Sequence, residues 1–353
     1  MTLNKPWPAI FLALLASLAA CARRPVQQDS RFQALAGFSI EVAAPSSQTG
    51  SLIALTFDSF GRPVVSKERG HPTILMDKDG DGVFEMEKVF SDKVKTLQGM
   101  WFDGRTLYAV GNNTVDESRG EDDKPSERPQ AGLYKLEDTN GDDVADTFER
   151  LHTFDRTIGE HGPHDIHLGP DGKPTLMLGN HTFVPLAMLA SSPPLQNYKE
   201  SQLLPSYNDA RGHAANIRAP GGVLLELDLA SMKYTLLAGG FRNAYTHAHN
   251  LDGEAFTFDS DMEWDINLPW YRPVRTVHMV PGGDYGWRTG SAKWPSYYLD
   301  SLPPLNELGR GSPVGVDFYQ HHVYPRKYHD AFLEGDWSRG RILLTRLERS
   351  GAT

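Results

Sequence analysis

Four times along the chain an apolar run meets a turn containing glycine and returns as a second apolar or β-branched run. The segments are ALTFDSFGRPVVS (54–66), GMWFDGRTLYAVGN (99–112), DIHLGPDGKPTLMLGN (165–180) and HAHNLDGEAFTFDSD (247–261). Asp-Gly between alternating apolar runs is the strongest short-range hairpin signal, because glycine accepts the positive φ of a tight turn. A looser copy lies in GVDFYQHHVYPRKYHDAFLEGDWS (315–338). Second strand pairs follow in PTILMDKDGDGVFEMEKVF, AGLYKLEDTNGDDVADTFERL and GGVLLELDLASMKYTLLAGG. Such units recur at spacings of roughly 40–80 residues, which points to blades stacked radially in a β-propeller, five by this count. A pair of packed β-sheets is the competing architecture, but the hairpin-plus-hairpin rhythm favours radial repetition.

Composition agrees. The chain of 353 residues carries 33 glycines and 24 prolines and lacks long helix-period apolar runs, a bias toward short strands and turns. Its net charge is −10, and no basic clusters stand out. A nucleic-acid partner is therefore not expected, since phosphate binding needs such clusters.

The N-terminus reads MTLNKPWPAIFLALLASLAACARRP. Lys5 precedes an apolar run from Trp7 to Ala20, too short to span a bilayer and typical of a signal-peptide core. The run ends in LAAC, which resembles a bacterial lipobox, and Cys21 is the only cysteine. The expectation is a leader over 1–20, a lipidated Cys21 opening a polar tether over 21–33, and a propeller domain over 34–353. The protein would then be exported and anchored by lipid to a bacterial membrane, facing the periplasm or the cell surface. No disulfide within the chain and no Cys-x-x-Cys-His haem attachment is available.

Two of the second hairpins carry acidic loops. One presents Asp77, Asp79 and Asp81 and continues to Glu85; the other presents Asp138, Asn140 and Asp142 and continues to Asp146. Oxygen ligands at alternate positions of a tight loop suit calcium in a structural role. Neither is a complete EF-hand loop: Lys88 stands at the twelfth position of the first and Asp143 at the sixth of the second. A solvated acidic turn, which also favours Asp, Asn and Gly, is the alternative for both.

The stretch GEHGPHDIHLGPDGKPTLMLGNH (159–181) holds His161, His164 and His167 three residues apart. Gly162-Pro163 forbids a helix there. On a strand, His164 and His167 point to opposite sides, so three converging imidazoles are not expected.

At this stretch the sequence resembles a known group. HGPHDIHLGPDG is similar to the H-N-G-G-x-L-x-F-G-P-D-G segment of soluble quinoprotein glucose dehydrogenases and their sorbosone dehydrogenase relatives, which are six-bladed propellers. GGFRNAYTHAHNLDGEAFTFDSD, GGDYGWR and DWSRGRILLTRL resemble three further segments of that group. GEHGPH, MEWDINLPWYRPVR, GGDYGWRTGSAKWPSYY and GSPVGV are closer still to a branch described as membrane-bound dehydrogenase-like propellers of Planctomycetes-type bacteria. The resemblance covers about residues 34–350.

It implies a six-bladed-type propeller whose last blade is incomplete here, since relatives continue beyond RLERSGAT with another hairpin unit. His161 falls on the general base, and Arg242, Asn243 and Arg339 on contacts to pyrroloquinoline quinone (PQQ). The chain departs from the pattern in three ways. Gln320 stands where a cofactor-contacting lysine is expected. Asp261 and Met262 replace a Gly-Pro pair whose carbonyls hold calcium, leaving Asp259 and Asp261 as carboxylate substitutes. Thr246, His247 and His249 also stand where aliphatic or small residues are commoner.

The implied activity is PQQ- and calcium-dependent oxidation of a sugar or related alcohol, with electrons passing to a separate carrier such as a c-type cytochrome. Two other classes compete: a non-catalytic envelope propeller that binds glycan or protein, and a calcium-dependent lactonase-type hydrolase with one ion held by side chains deep in the channel. The aromatic residues Trp264, Trp270, Tyr271, Trp287 and Trp294 read as packing and rim; His321, His322 and His329 read as surface histidines.

Overall fold

The computed structural model describes residues 31–113, 131–154, 161–182, 200, 214, 216–263, 268, 271–289, 294–295 and 297–350. The leader, Cys21, Glu160, Trp264 and Trp270 lie outside the described residues.

The described chain is almost entirely strand and turn, with one four-residue α-helix at Ser46–Thr49 and a single 3₁₀ turn at Arg326–Tyr328. Nineteen strands form five antiparallel sheets, each an up-and-down meander. The first sheet holds β1 (Leu52–Phe57), β2 (Pro63–Lys67), β3 (Thr73–Met76) and β4 (Met86–Val89). The second holds β5 (Val94–Asp103), β6 (Thr106–Asn113), β7 (Ala131–Glu137) and β8 (Thr147–Thr153). β9 (Pro163–Leu168), β10 (Pro174–Leu178), β11 (Gly222–Asp228) and β12 (Lys233–Phe241) make the third. β13 (His247–His249), β14 (Ala255–Asp259), β15 (Arg275–Met279) and β16 (Asn306–Glu307) make the fourth. The fifth has three strands, β17 (Pro313–Phe318), β18 (Phe332–Asp336) and β19 (Arg341–Thr345). These are the blades of a β-propeller, five among the described residues, and each hairpin anticipated from sequence is present. The turns at Gly104 and Gly253 carry φ of 59° and 83°, a region that favours glycine at both places.

Side chains alternate across each strand, and that alternation joins the sheets. On β6, Leu107 and Ala109 enter an apolar cluster with Val64, Ile74, Leu97 and Leu136 on the side of the first sheet. Tyr108 and Val110 of the same strand enter another with Ile166, Leu176 and Leu225 on the side of the third. Likewise Leu176 and Leu178 of β10 face the second sheet, while Met177 packs with Ala238, Val277 and Tyr285 toward the fourth. Phe256 of β14 packs with Phe318 and Phe332 of the fifth sheet. Every inner sheet is therefore buried on both faces. The first strands of successive sheets lie side by side, β1 by β5, β5 by β9, and β13 by β17. At β5, a Cβ on Gly99 would fall 2.6 Å from the Asp165 Cα of β9, so the two backbones touch.

A second device repeats at the strand ends. Asp259, last in β14, lies opposite Arg275, first in β15; Asp336, last in β18, lies opposite Arg341, first in β19. Both pairs are bonded, at 2.8 and 3.0 Å. Each aspartate also accepts backbone N–H groups from the segment that precedes its sheet, Arg242 and Asn243 in one case and Ser312 in the other. These carboxylates fasten the loops between blades.

Candidate active site

The segment preceding β9, the segment after β10 and the segment after β12 meet at one end of the third sheet. His161 is fully buried there. Its Nδ1 faces Asn180 Oδ1 at 2.5 Å, and its ring lies 4.5 Å from that of His181. An amide oxygen at Nδ1 holds the proton on that nitrogen and leaves the basic lone pair of the neutral ring on Nε2. Asn180 N–H in turn donates to the Arg242 carbonyl (3.0 Å), which ties the His161 partner to the next blade.

Asn243 completes the junction. Its Oδ1 lies 2.7 Å from His164 Nε2, while His164 Nδ1 faces Gln98 Oε1 of β5 at 2.6 Å. The His164 ring stacks on Tyr245 at 4.3 Å between centroids, a contact that fixes its plane. Arg242 and Asn243 are themselves placed by Asp259, whose Oδ1 accepts both backbone N–H groups at 3.1 and 3.0 Å. The Arg242 guanidinium reaches Ser260 Oγ (3.2 Å) and approaches Glu263 (3.8 Å).

Gly179 sits where these pieces touch. A Cβ there would lie 2.6 Å from both Asn243 Oδ1 and the His161 carbonyl oxygen. Gly179→Ala should therefore force the two segments apart and cost about 1–3 kcal/mol, the usual range for overpacking. A chemical denaturation midpoint no lower than that of the parent protein would contradict this.

The structure thus brings together His161 and Asn243, two of the residues implied by the resemblance, with Arg242 joined through its backbone carbonyl while its guanidinium faces Ser260 and Glu263, and it adds Gln98, His164, Asn180 and His181. Arg339 is not among them. It is exposed in the turn between β18 and β19, and its Nε donates to the Arg310 carbonyl at 3.3 Å. Gln320 is also exposed and donates to the His249 carbonyl (2.9 Å).

The expected metal ligands divide. Asp259 is fully buried; its Oδ2 accepts from the Arg275 guanidinium and its Oδ1 from backbone N–H groups, so both oxygens serve as struts. Asp261 accepts from the Tyr271 hydroxyl at 2.6 Å. Asp77, Asp79, Asp81 and Glu85 do gather, each offering an oxygen within 4.8 Å of the others. In the second loop Asp138 accepts from three backbone N–H groups and from Arg105, and Asp146 turns onto Thr139 and Asn140. Asp142 caps the Val144 N–H.

The aromatic residues that are described do pack. Trp287 is fully buried against Ala214, Ile217 and Met262, and Trp294 lies under the Arg288 guanidinium, 3.7 Å from ring centroid to cation.

No protein-family model matches the chain, and no curated protein matches it. Solved structures do. The chain is similar to the PQQ-bound aldose sugar dehydrogenase of Streptomyces coelicolor over 84% of its own length and 78% of that chain, with 12% identity and a TM-score of 0.55. A glucose dehydrogenase is similar over 85% and 84% of the two chains, at 13% identity and a TM-score of 0.58. The soluble aldose sugar dehydrogenase of Escherichia coli, in its apo form, is similar over 84% and 83%, at 12% identity and a TM-score of 0.54. At this identity the likeness establishes a shared fold, and the site must be argued from this chain's own residues.

Proposed function

We propose that the protein is a sugar or alcohol dehydrogenase of the quinoprotein type, with His161 as the base. The observation that carries this reading is the convergence of His161, Asn180, His164, Arg242 and Asn243 from three segments at one end of the third blade. The neighbours in fold include a sugar dehydrogenase with PQQ bound.

The donor set fits an anionic planar group. The Arg242 guanidinium supplies forked N–H donors suited to a carboxylate, and the amides of Asn180 and Asn243 supply neutral donors beside it. PQQ, when bound, would supply the two-electron acceptor. The chain's own part is to take the hydroxyl proton on His161 Nε2, in the tautomer that Asn180 enforces. Arg242 orients the acceptor, and Asp259 holds Arg242 and Asn243 in register by their backbones.

Loading the purified protein with PQQ and calcium and following dye reduction on a panel of aldoses and alcohols tests this. Turnover supports the reading; absence of both turnover and quinone binding overturns it.

We also assign calcium a structural place in the Asp77–Glu85 loop, the one acidic loop among the described residues whose carboxylates converge. Calcium should raise the thermal midpoint of the metal-free protein, and Asp81→Asn should remove that rise. Export and lipid anchoring through Cys21, a ring of the six-bladed type, and transfer of electrons to a c-type cytochrome complete the proposal; they rest on the sequence alone.

A further inference from the structure

The far side of β9 carries a cluster that the dehydrogenase reading does not use. Asp165 and His167 are two apart on β9 and share a face; His247 opens β13, the first strand of the next blade. Their ligand atoms all lie within 4.8 Å of one another. Asp165 Oδ2 is 2.9 Å from His247 Nδ1, 3.0 Å from the His247 backbone N–H that donates to it, and 2.8 Å from His167 Nε2. The last approach is off the line of a hydrogen bond, so the His167 nitrogen and the carboxylate oxygen aim past each other.

We infer that Asp165, His167 and His247 form a binding site for one divalent transition-metal ion of the zinc class, held between the third and fourth blades. Two imidazoles and one carboxylate are a donor set for zinc and its neighbours; calcium takes oxygen ligands. At zinc bond lengths the edges of a tetrahedral site are about 3.3 Å, so the two carboxylate–imidazole separations, 2.8 and 2.9 Å, need open by only about half an ångström, and the two imidazole nitrogens lie within 4.8 Å of each other.

The surroundings serve the same end. Thr175 Oγ1 lies 2.7 Å from His247 Nε2 and 3.4 Å from the His167 carbonyl. With the metal bound, the hydroxyl gives its proton to that carbonyl and accepts from Nε2–H, which directs the Nδ1 lone pair at the ion. The carboxylate and His247 are buried; the His167 side chain is 42% exposed, but its Nε2 faces inward beside the carboxylate. Three protein ligands leave the fourth position to a small exogenous ligand, as in catalytic rather than structural zinc sites.

The full-length protein, stripped of metal by a chelator, is titrated with Zn²⁺ in excess Ca²⁺, which occupies the exposed acidic loop, and with Co²⁺ as a spectroscopic probe. One equivalent is expected to bind with a tetrahedral Co²⁺ absorption, and His167→Ala should weaken that equivalent at least tenfold. His167 is the least buried ligand, and an unchanged far-ultraviolet dichroism spectrum shows that the variant folds. X-ray absorption at the zinc edge of the parent protein should show imidazole scattering. Equal uptake by parent and His167→Ala, or a zinc edge without imidazole, overturns the assignment and leaves a hydrogen-bonded trio that joins two blades. No quinone is present in these experiments, so their outcome is independent of the dehydrogenase reading.

Discussion

His161→Asn should lower turnover of the PQQ-loaded protein by about 10²–10⁴-fold, the range that general-base catalysis contributes. Asparagine is the informative replacement because its amide reaches the place of the imidazole Nδ1 and can still donate to Asn180 Oδ1, 2.5 Å from that nitrogen in the parent. The segment 161–164 then keeps its anchor while the basic Nε2 is gone. His161→Ala removes both and leaves Asn180 facing a cavity, so its loss of activity would mix chemistry with collapse. The separation is made by measuring kcat, the thermal midpoint and quinone binding for His161→Asn. A variant with parent-like turnover would show that another group takes the proton, and His181, whose ring lies 4.5 Å away, would be examined next.

Asp259→Asn is expected to be the most destabilising single change, by about 3–5 kcal/mol, because it leaves a buried guanidinium without its countercharge. Arg275 is only 4% exposed, and besides Asp259 its donors reach the carbonyls of Tyr285 and Gly240. At about 2–4 °C per kcal/mol the midpoint should fall by on the order of 10 °C. Asp259→Asn/Arg275→Met, which removes both charges, should recover part of the loss, since a buried pair often contributes little beyond an apolar pair of the same size. The single variant should also loosen Arg242 and Asn243, whose N–H groups lose an anionic acceptor. A midpoint within 2–3 °C of the parent, a shift worth about 1 kcal/mol, would show that this pair is not the strut described above.

The fold was legible because its punctuation is local. Asp103-Gly104 and Asp252-Gly253 mark hairpins by a conformational rule that acts within four residues, and the runs beside them alternate as strands must. The pairing of Asp259 with Arg275 was not, since it depends on the register of β14 against β15, two strands separated by 15 residues of sequence. Without that register, two aspartates at alternate positions read as ligands; with it, Asp259 faces a cation directly across the ladder.

Arg339 was drawn toward the cofactor by resemblance, yet it lies on an exposed hairpin turn, while the neighbouring Arg341 takes the buried Asp336. The signal for the Asp165–His167–His247 cluster was present in the sequence: Asp-x-His on one inner strand and His-x-His on the next, where aliphatic or small residues are commoner. It needed the further knowledge that inner strands of successive blades lie next to one another.

The assignment of alternate residues on one strand to different neighbours has a mechanical outcome. Leu107 and Tyr108 are adjacent in the chain yet belong to opposite seams, so a blade cannot be peeled away without opening the wedges on either side of it. Stacked linear repeats can fray from one end, each unit leaning on its neighbours in turn. Here the interior blades are clamped from two directions at once. A protease cut in a surface connection should therefore nick the molecule without liberating a stable fragment.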